Sequence, residues 1–308
     1  MGKTRREVGK YVQEVDNMME LILRRAVNIA QKTGLIRSNF VRKVGRKVTR
    51  WLLPEEVEIK IGRSKMLVNP KTDGEWYIYG YEGAEKGVRD VIRDSLSKGD
   101  CFVDVGAFIG YYSILAREYV GKEGKIIAFE PNPFNYQKLR KNIELNSFTN
   151  VVAENMALAD KEGSLKLFKG KCPTSHSLVP GTQYTKEDYV TIKAIPFDKY
   201  QEEHSVIPKC IKIDVEGAEY YVLKGMERTI NTYHPDIILE VHPEHLNNLG
   251  LGVEALLTFL EKRGYKLFNV HDMKSMSAEE LSRVCRKKRK TAYGGEANVI
   301  VFASCKKD

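Results

Sequence analysis

Residues 101–110 read Cys-Phe-Val-Asp-Val-Gly-Ala-Phe-Ile-Gly, and Phe-Glu-Pro-Asn-Pro follows at 129–133. No other feature restricts the fold as strongly. An apolar strand runs into Asp104, turns through Gly106 and Gly110, and enters a helix at 111–117. A second apolar strand, 125–129, ends on Glu130. The spacing is that of one βαβ step, and in a doubly wound sheet both strand ends face the crevice where ligands bind. The glycines let the backbone approach a ligand closely, and a carboxylate after the second strand can accept both hydroxyls of a ribose. A dinucleotide turn needs G-x-G-x-x-G to seat a pyrophosphate on the helix N-terminus. Here Phe108 fills the second glycine position and the acidic Asp104 precedes the turn, which suits a ligand with a cationic end.

Strands and helices then alternate. Apolar strands are predicted at 102–105, 126–129, 151–154, 211–215 and 237–241, with helices near 84–97, 133–146, 217–230 and 253–263. This pattern predicts an α/β fold with a mainly parallel, doubly wound sheet covered on both faces. Segments 266–269 and 298–304 close it as a final antiparallel pair, and 165–168 with 189–194 form an inserted hairpin. The run 283–290 reads as a basic loop. A ribose, an ammonium and a sulfonium are what S-adenosylmethionine would bring to such a crevice.

The formal charge of +9 is concentrated at the start. Residues 1–50 hold thirteen Lys/Arg against four Asp/Glu, while the rest of the chain balances at thirty-seven of each. Apolar residues at three- and four-residue steps predict an amphipathic helix over 5–31, and Ser38 caps a second that stops at Pro54. Residues 1–54 therefore read as a basic helical hairpin, which can pack on its own domain or a second subunit in a homodimer. It can equally meet an anionic membrane surface or nucleic acid. Residues 55–98 supply short strands and a lead-in helix, and 99–308 the main domain with its insertion near 165–195. No stretch has the roughly 18 apolar residues of a membrane span, and no signal region follows the charged start. A cytoplasmic protein is expected, with the hairpin as a means of peripheral attachment at the inner membrane face. Five cysteines without C-x-x-C spacing argue against zinc and against a secreted disulfide framework. Cys101 and Cys210 open neighbouring predicted strands and are read as buried free thiols rather than a bridge.

At the fourth core strand, Ile211-Lys-Ile-Asp-Val-Glu-Gly-Ala-Glu219 resembles the I-K-x-D-V-E-G-x-E motif of the FkbM family of S-adenosylmethionine-dependent methyltransferases. Asp104-Val-Gly-Ala-Phe-Ile-Gly110, Phe129-Glu-Pro-Asn-Pro133, Asn155-Met-Ala-Leu-Ala-Asp160 and Gly80-Tyr-Glu82 are similar to that family's other landmarks, in its order. The resemblance spans roughly 75–303 and leaves the basic hairpin outside. It implies a class I methyltransferase fold and methylation of a hydroxyl on a saccharide, glycan or related small molecule. By the same resemblance Gly106, Ala107 and Gly110 line the methionine moiety. Glu130 holds the ribose with Pro131 and Asn132 beside it, and Asn155, Met156 and Ala157 flank the adenine. Asp214 lies under the reacting end, and Glu82 reaches toward the ammonium. Phe108 departs from the small polar residue common in the family.

An alcohol is a poor nucleophile at neutral pH, so a positioned base is expected. Candidates are Asp214 and Glu216 after the fourth strand, Glu240 and His242 after the fifth, and His176 in the insertion beside Ser175 and Ser177. His242 is the first choice, with Asp214 orienting cofactor and acceptor. Glu216 and Glu219 also suit the first turn of a helix, where the macrodipole favours acids. Asp214, Glu216 and His242 have the chemistry to hold Mg²⁺ or a transition ion, but such strand ends also serve metal-free sites and no metal is assigned. Two other readings compete. The basic hairpin suits a ribose methyltransferase acting on RNA, although Asp214-Val-Glu-Gly217 stands where base-amine enzymes carry N/D-P-P-Y/F. A non-catalytic protein that binds the cofactor while docked on a membrane or partner is the other.

Overall fold

The computed structural model describes residues 55–69, 72–73, 86–170, 176–178, 184–287 and 299–305. The chain divides into two compact units, residues 1–59 with 67–84, and residues 60–66 with 85–308. The helical hairpin expected over 1–54, the strand expected at 76–79 and Glu82 all lie outside the described residues. β1 (Val57–Ile61) and β2 (Ser64–Val68) form a two-stranded sheet. Within the first unit Asp73 closes the following turn by accepting from Asn69 N at 3.0 Å and Thr72 Oγ1 at 2.8 Å.

The second unit continues with α1 (Lys86–Ser95), β3 (Cys101–Val105), α2 (Tyr111–Val120), β4 (Lys125–Phe129), α3 (Pro133–Leu145) and β5 (Val151–Glu154). Then come β6 (Ala157–Leu158), β7 (Gly163–Gly170), β8 (His176–Ser177), β9 (Tyr184–Ile195), α4 (Phe197–His204) and β10 (Cys210–Ile213). It ends with α5 (Glu219–Gly225), α6 (Glu227–Tyr233), β11 (Asp236–Val241), α7 (Pro243–Asn248), α8 (Val253–Glu261), β12 (Lys266–Asn269), β13 (Lys274–Ser275), α9 (Ala278–Lys287) and β14 (Val299–Ser304).

Eight strands form one sheet in the order β13-β12-β14-β11-β10-β3-β4-β5. β11, β10, β3, β4 and β5 pair in parallel, and β14 inserts antiparallel to both β11 and β12. This is the doubly wound, mainly parallel sheet with an antiparallel closure that the alternation predicts. Side chains alternate across it. Val103, Val105, Ile127, Phe129, Ile211, Ile213, Ile237 and Leu239 share one buried cluster with Phe197, Val222, Ile230, Leu246, Leu256 and Leu281, so α4 to α9 cover that face. The opposite face carries Asp104 and Lys212, which meet Ser113 and Tyr112 of α2.

Several expectations need correction. The inserted hairpin is larger: β6, β9, β7 and β8 make a separate four-stranded sheet, because β7 and β9 extend and β6 and β8 add to their edges. The helix expected over 217–230 is two short ones. Gly225 packs so closely that a Cβ there would lie 1.9 Å from the Ala159 carbonyl oxygen, and the chain breaks at Met226. The basic loop expected at 283–290 is helical as far as Lys287. Ser277 Oγ accepts from Glu280 N at 3.2 Å while Glu280 Oε2 accepts from Ser277 N at 2.8 Å, a capping box. Ala278, Leu281 and Cys285 bury the inner side of that helix. Short helices at Phe197–His204 and Pro243–Asn248 were not expected. Cys101 and Cys210 are free thiols, for the parallel register sets Cys210 opposite Phe102. Among the described residues no helix is long and apolar enough to cross a membrane.

Candidate active site

The glycine turn after β3 is fastened to the end of β4. Gly106 N and Ala107 N both donate to the Phe129 carbonyl oxygen, at 2.9 and 3.0 Å. Gly106 has φ +83° and faces β10 so tightly that a Cβ would fall 1.8 Å from the Asp214 carbonyl oxygen. Asp214 N donates in turn to Val105 O at 3.0 Å. The turn that would receive a ligand and the acidic end of β10 are thus one packed unit. Phe108, in the second glycine position, adopts φ +52°, a left-handed conformation that bulky residues rarely take.

Glu130 ties this turn to α3. Its Oε2 accepts from Phe108 N at 2.8 Å and its Oε1 from Asn132 N at 2.9 Å, with the residue only 5% exposed. Burial pushes its carboxyl up to about 8, against the two backbone donors that favour the charged form. Two carboxyl oxygens side by side are the acceptor pattern that a vicinal diol meets. Asn132 caps α3 by accepting from Phe134 N and Asn135 N, at 2.9 and 3.3 Å. Asn155 donates to the carbonyls of Glu130 and Pro131, at 2.9 and 3.1 Å, and so holds the chain on which Glu130 sits. Met156 packs on the main core, while Ala157 is buried in the core of the inserted sheet. Asp104 is buried, its Oδ2 accepting from Ser113 Oγ at 2.7 Å and its Oδ1 without a hydrogen-bond partner. Burial raises its pKa, although Lys212 opposes the rise.

The second half of the site gathers at the ends of β10 and β11. Lys212 is buried, with its ammonium 3.1 Å from Asp214 Oδ2 and 4.6 Å from the centre of the Tyr112 ring. Burial opposes ionisation of Asp214, but Lys212 and His242 prevail and hold its carboxyl below the usual carboxylate range. His242 Nε2 faces Glu216 at 3.4 Å, Glu240 at 3.8 Å and Asp214 at 4.0 Å. Burial disfavours a charged imidazole there, yet Glu216, Glu219 and Glu240 hold its pKa well above the ordinary value. Burial also pushes Glu216 up to about 7; His242 opposes that rise and Asp214 adds to it. The backbone at Glu216 is left-handed, φ +52°, and its carbonyl accepts from Ser177 Oγ of β8. Through Ser177 the inserted sheet contacts the backbone of Glu216.

One participant escaped the sequence reading. Glu219 does stand in the first turn of a helix, α5, but it is fully buried. Its Oε1 lies 2.6 Å from His242 Nδ1 and accepts from Gly217 N at 2.8 Å. The spacing E-x₂-E after Asp214 was visible, but nothing in it marks which acid turns inward. Asp214, Glu240 and His242 bring ligand atoms within 4.8 Å of one another.

The donor set fits S-adenosylmethionine: a diol acceptor at Glu130, a close-packed turn at Gly106, and carboxylates beside the place where a cationic end would lie. Residues 104–267 match the family model described as the methyltransferase FkbM domain. Hexuronic acid methyltransferase AglP of Haloferax volcanii is 28% identical over 216 residues, covering 70% of this chain and 79% of that protein. Methyltransferase 1 of Beauveria bassiana is 30% identical over 189 residues, covering 53% of this chain and 71% of its own. Among solved structures, methyltransferase FkbM from Methylobacillus flagellatus KT aligns with a TM-score of 0.40 at 17% identity, over 68% of this chain and 44% of that one. The glycine turn, the acid after β4 and the D-V-E-G-x-E segment all fall inside the matched residues, and the chain belongs to the FkbM family of S-adenosylmethionine-dependent methyltransferases.

Proposed function

We propose that this enzyme methylates a hydroxyl of a saccharide, glycan or related small molecule. The observation that carries the reading is the packing of Gly106 on Asp214, which brings the glycine turn next to a cluster of acid–base side chains. The likeness to a hexuronic acid methyltransferase supports a sugar acceptor. In this reading Glu130 receives the ribose hydroxyls, and the 106–110 turn receives the methionine end. Bound S-adenosylmethionine supplies a methyl group on a sulfonium, a leaving group good enough that alignment is the chief task. The acceptor oxygen attacks in line as the methyl–sulfur bond breaks and its electron pair stays on sulfur. Glu216 takes the hydroxyl proton. Its side chain is 30% exposed, against 5% for His242, the first choice from sequence. His242 lies behind it and fixes the carboxylate's position. Asp214, anchored by Lys212, orients acceptor and donor. Ser177 links the inserted sheet to the Glu216 backbone, so that sheet, with His176, forms the acceptor wall.

Calorimetric titration with S-adenosylhomocysteine, for the wild type and Glu130→Ala, tests the cradle. Micromolar binding that weakens at least tenfold in the variant is expected, and no binding to folded wild type would sink the reading. Incubating the enzyme with methyl-labelled donor and a panel of hexuronosides and neutral hexosides tests the acceptor. The product should be an alkali-stable methyl ether. An alkali-labile ester would move the acceptor from a hydroxyl to a carboxylate.

A further inference from the structure

The geometry points to a divalent-cation site, which we propose is formed by Asp214, Glu240 and His242 at the ends of β10 and β11. The proposal rests on the methyltransferase reading only for its role in catalysis. Three observations carry it. The first is that Asp214, Glu240 and His242 each bring a ligand atom within 4.8 Å of the others. Two carboxylates held so close repel each other unless a proton or a cation lies between them. The second is His242, 4% exposed, whose Nε2 has no hydrogen-bond partner and points among those groups, 4.0 Å from Asp214 Oδ1 and 3.8 Å from Glu240 Oε1. Atoms bound to one Mg²⁺ or Mn²⁺ at about 2.1 Å lie about 3 to 4.3 Å apart, which brackets both distances. The third lies behind the histidine. Glu219 Oε1 sits 2.6 Å from His242 Nδ1, the carboxylate–histidine arrangement that orients an imidazole toward a metal.

Charge and chemistry agree with this placement. Four carboxylates, from Asp214, Glu216, Glu219 and Glu240, face one ammonium and one imidazole. Lys212 occupies Asp214 Oδ2 and leaves Oδ1, the oxygen that faces His242. One nitrogen and two or three carboxylate oxygens suit Mn²⁺ or Mg²⁺ rather than a thiophilic ion. Binding displaces the Nε2 proton, since a metal ligand must present its lone pair. An ion there would polarise the acceptor hydroxyl beside Glu216. The ligand trio differs from the one the sequence offered: Glu240 joins Asp214 and His242, and Glu216 is left for the proton.

The test is titration of the full chain, stripped with chelator, with Mn²⁺ alone, followed by the paramagnetic resonance signal of free ion. Glu240→Gln and His242→Ala are run beside the wild type, with S-adenosylhomocysteine titrated into the same samples. One Mn²⁺ bound per chain at micromolar concentration, weakened at least tenfold in both variants while S-adenosylhomocysteine still binds to Glu240→Gln, is the expected result. No Mn²⁺ bound by wild type that still binds S-adenosylhomocysteine overturns the site and leaves the methyltransferase reading intact. Equal Mn²⁺ binding by all three proteins also overturns it, because the ion would then sit elsewhere.

Discussion

Glu219 and His242 are buried partners, Oε1 to Nδ1 at 2.6 Å, although 23 residues separate them in sequence. An acceptor-only carboxylate on Nδ1 draws that proton and directs the other nitrogen into the site. The same oxygen takes Gly217 N, so Glu219 also holds the turn that carries Glu216. Glu219→Ala leaves a buried imidazole and a buried amide without their acceptor. We expect a loss of about 3 kcal/mol in stability, read by urea denaturation. Glu219→Gln keeps an acceptor for Gly217 but can offer its amide hydrogens to Nδ1, favouring the opposite tautomer. It should retain most of the stability yet lower kcat by about 10- to 100-fold with little change in KM for S-adenosylmethionine. Wild-type kcat in a folded Glu219→Gln protein would show that the pair only packs.

Glu130 should make S-adenosylhomocysteine binding depend on pH. Its carboxyl, pushed up to about 8 chiefly by burial with the Asp104 charge adding to the rise, keeps its proton at neutral pH while the unfolded chain's glutamate has released it. The sign follows from that difference. A folded pKa above the unfolded one gives stability that is complete below the unfolded value of 4.5 and is lost as pH rises through about 8. Glu130→Gln should flatten this portion of the stability profile in denaturant titrations between pH 5 and 9. An ionised carboxylate is the better acceptor for ribose hydroxyls, so S-adenosylhomocysteine should bind the wild type more tightly above pH 8 than at pH 7. Glu130→Gln should bind weakly at both. A wild-type affinity that does not change across this range would mean that ribose is held elsewhere.

What was legible in the sequence is what local pattern encodes. Gly106 and Gly110 mark the turn because no side chain is tolerated there, and Glu130 is found because it ends an apolar strand one βαβ step later. The capping pair Ser277 and Glu280 was equally local, but the basic residues from Arg283 onward hid the helix it starts. Glu219 could not be found this way. Its neighbour is set by the parallel register of β10 on β11, which brings residues 210–213 beside 236–239 and so sets the ends of both strands together. The break at Gly225 is likewise tertiary, since it answers to the carbonyl of Ala159, just after β6. Asn155 sits in its expected stretch with a role visible only in three dimensions, as the donor that holds the Glu130 and Pro131 carbonyls.

Lys212 is a buried cation with three neighbours on one face of the sheet, the carboxylate of Asp214, the ring of Tyr112 and, across the strand pair, Asp104. Its ammonium is what lets two acids stand near the cradle without repelling each other. Lys212→Met matches its length and keeps the apolar packing, but removes the charge. Breaking a buried pair from one side costs about 3 to 5 kcal/mol; with Asp214 29% exposed the expected loss is smaller, about 2 kcal/mol by urea denaturation. Arginine should not restore it, because the planar guanidinium cannot both stack on Tyr112 and reach Asp214 from the same stem. Lys212→Met with Asp214→Asn should recover about 1 kcal/mol relative to the sum of the single changes, as a coupled pair requires. Strict additivity in that cycle would show that Lys212 stabilises through its stem and the Tyr112 ring, and that the charge on Asp214 is held by His242 alone.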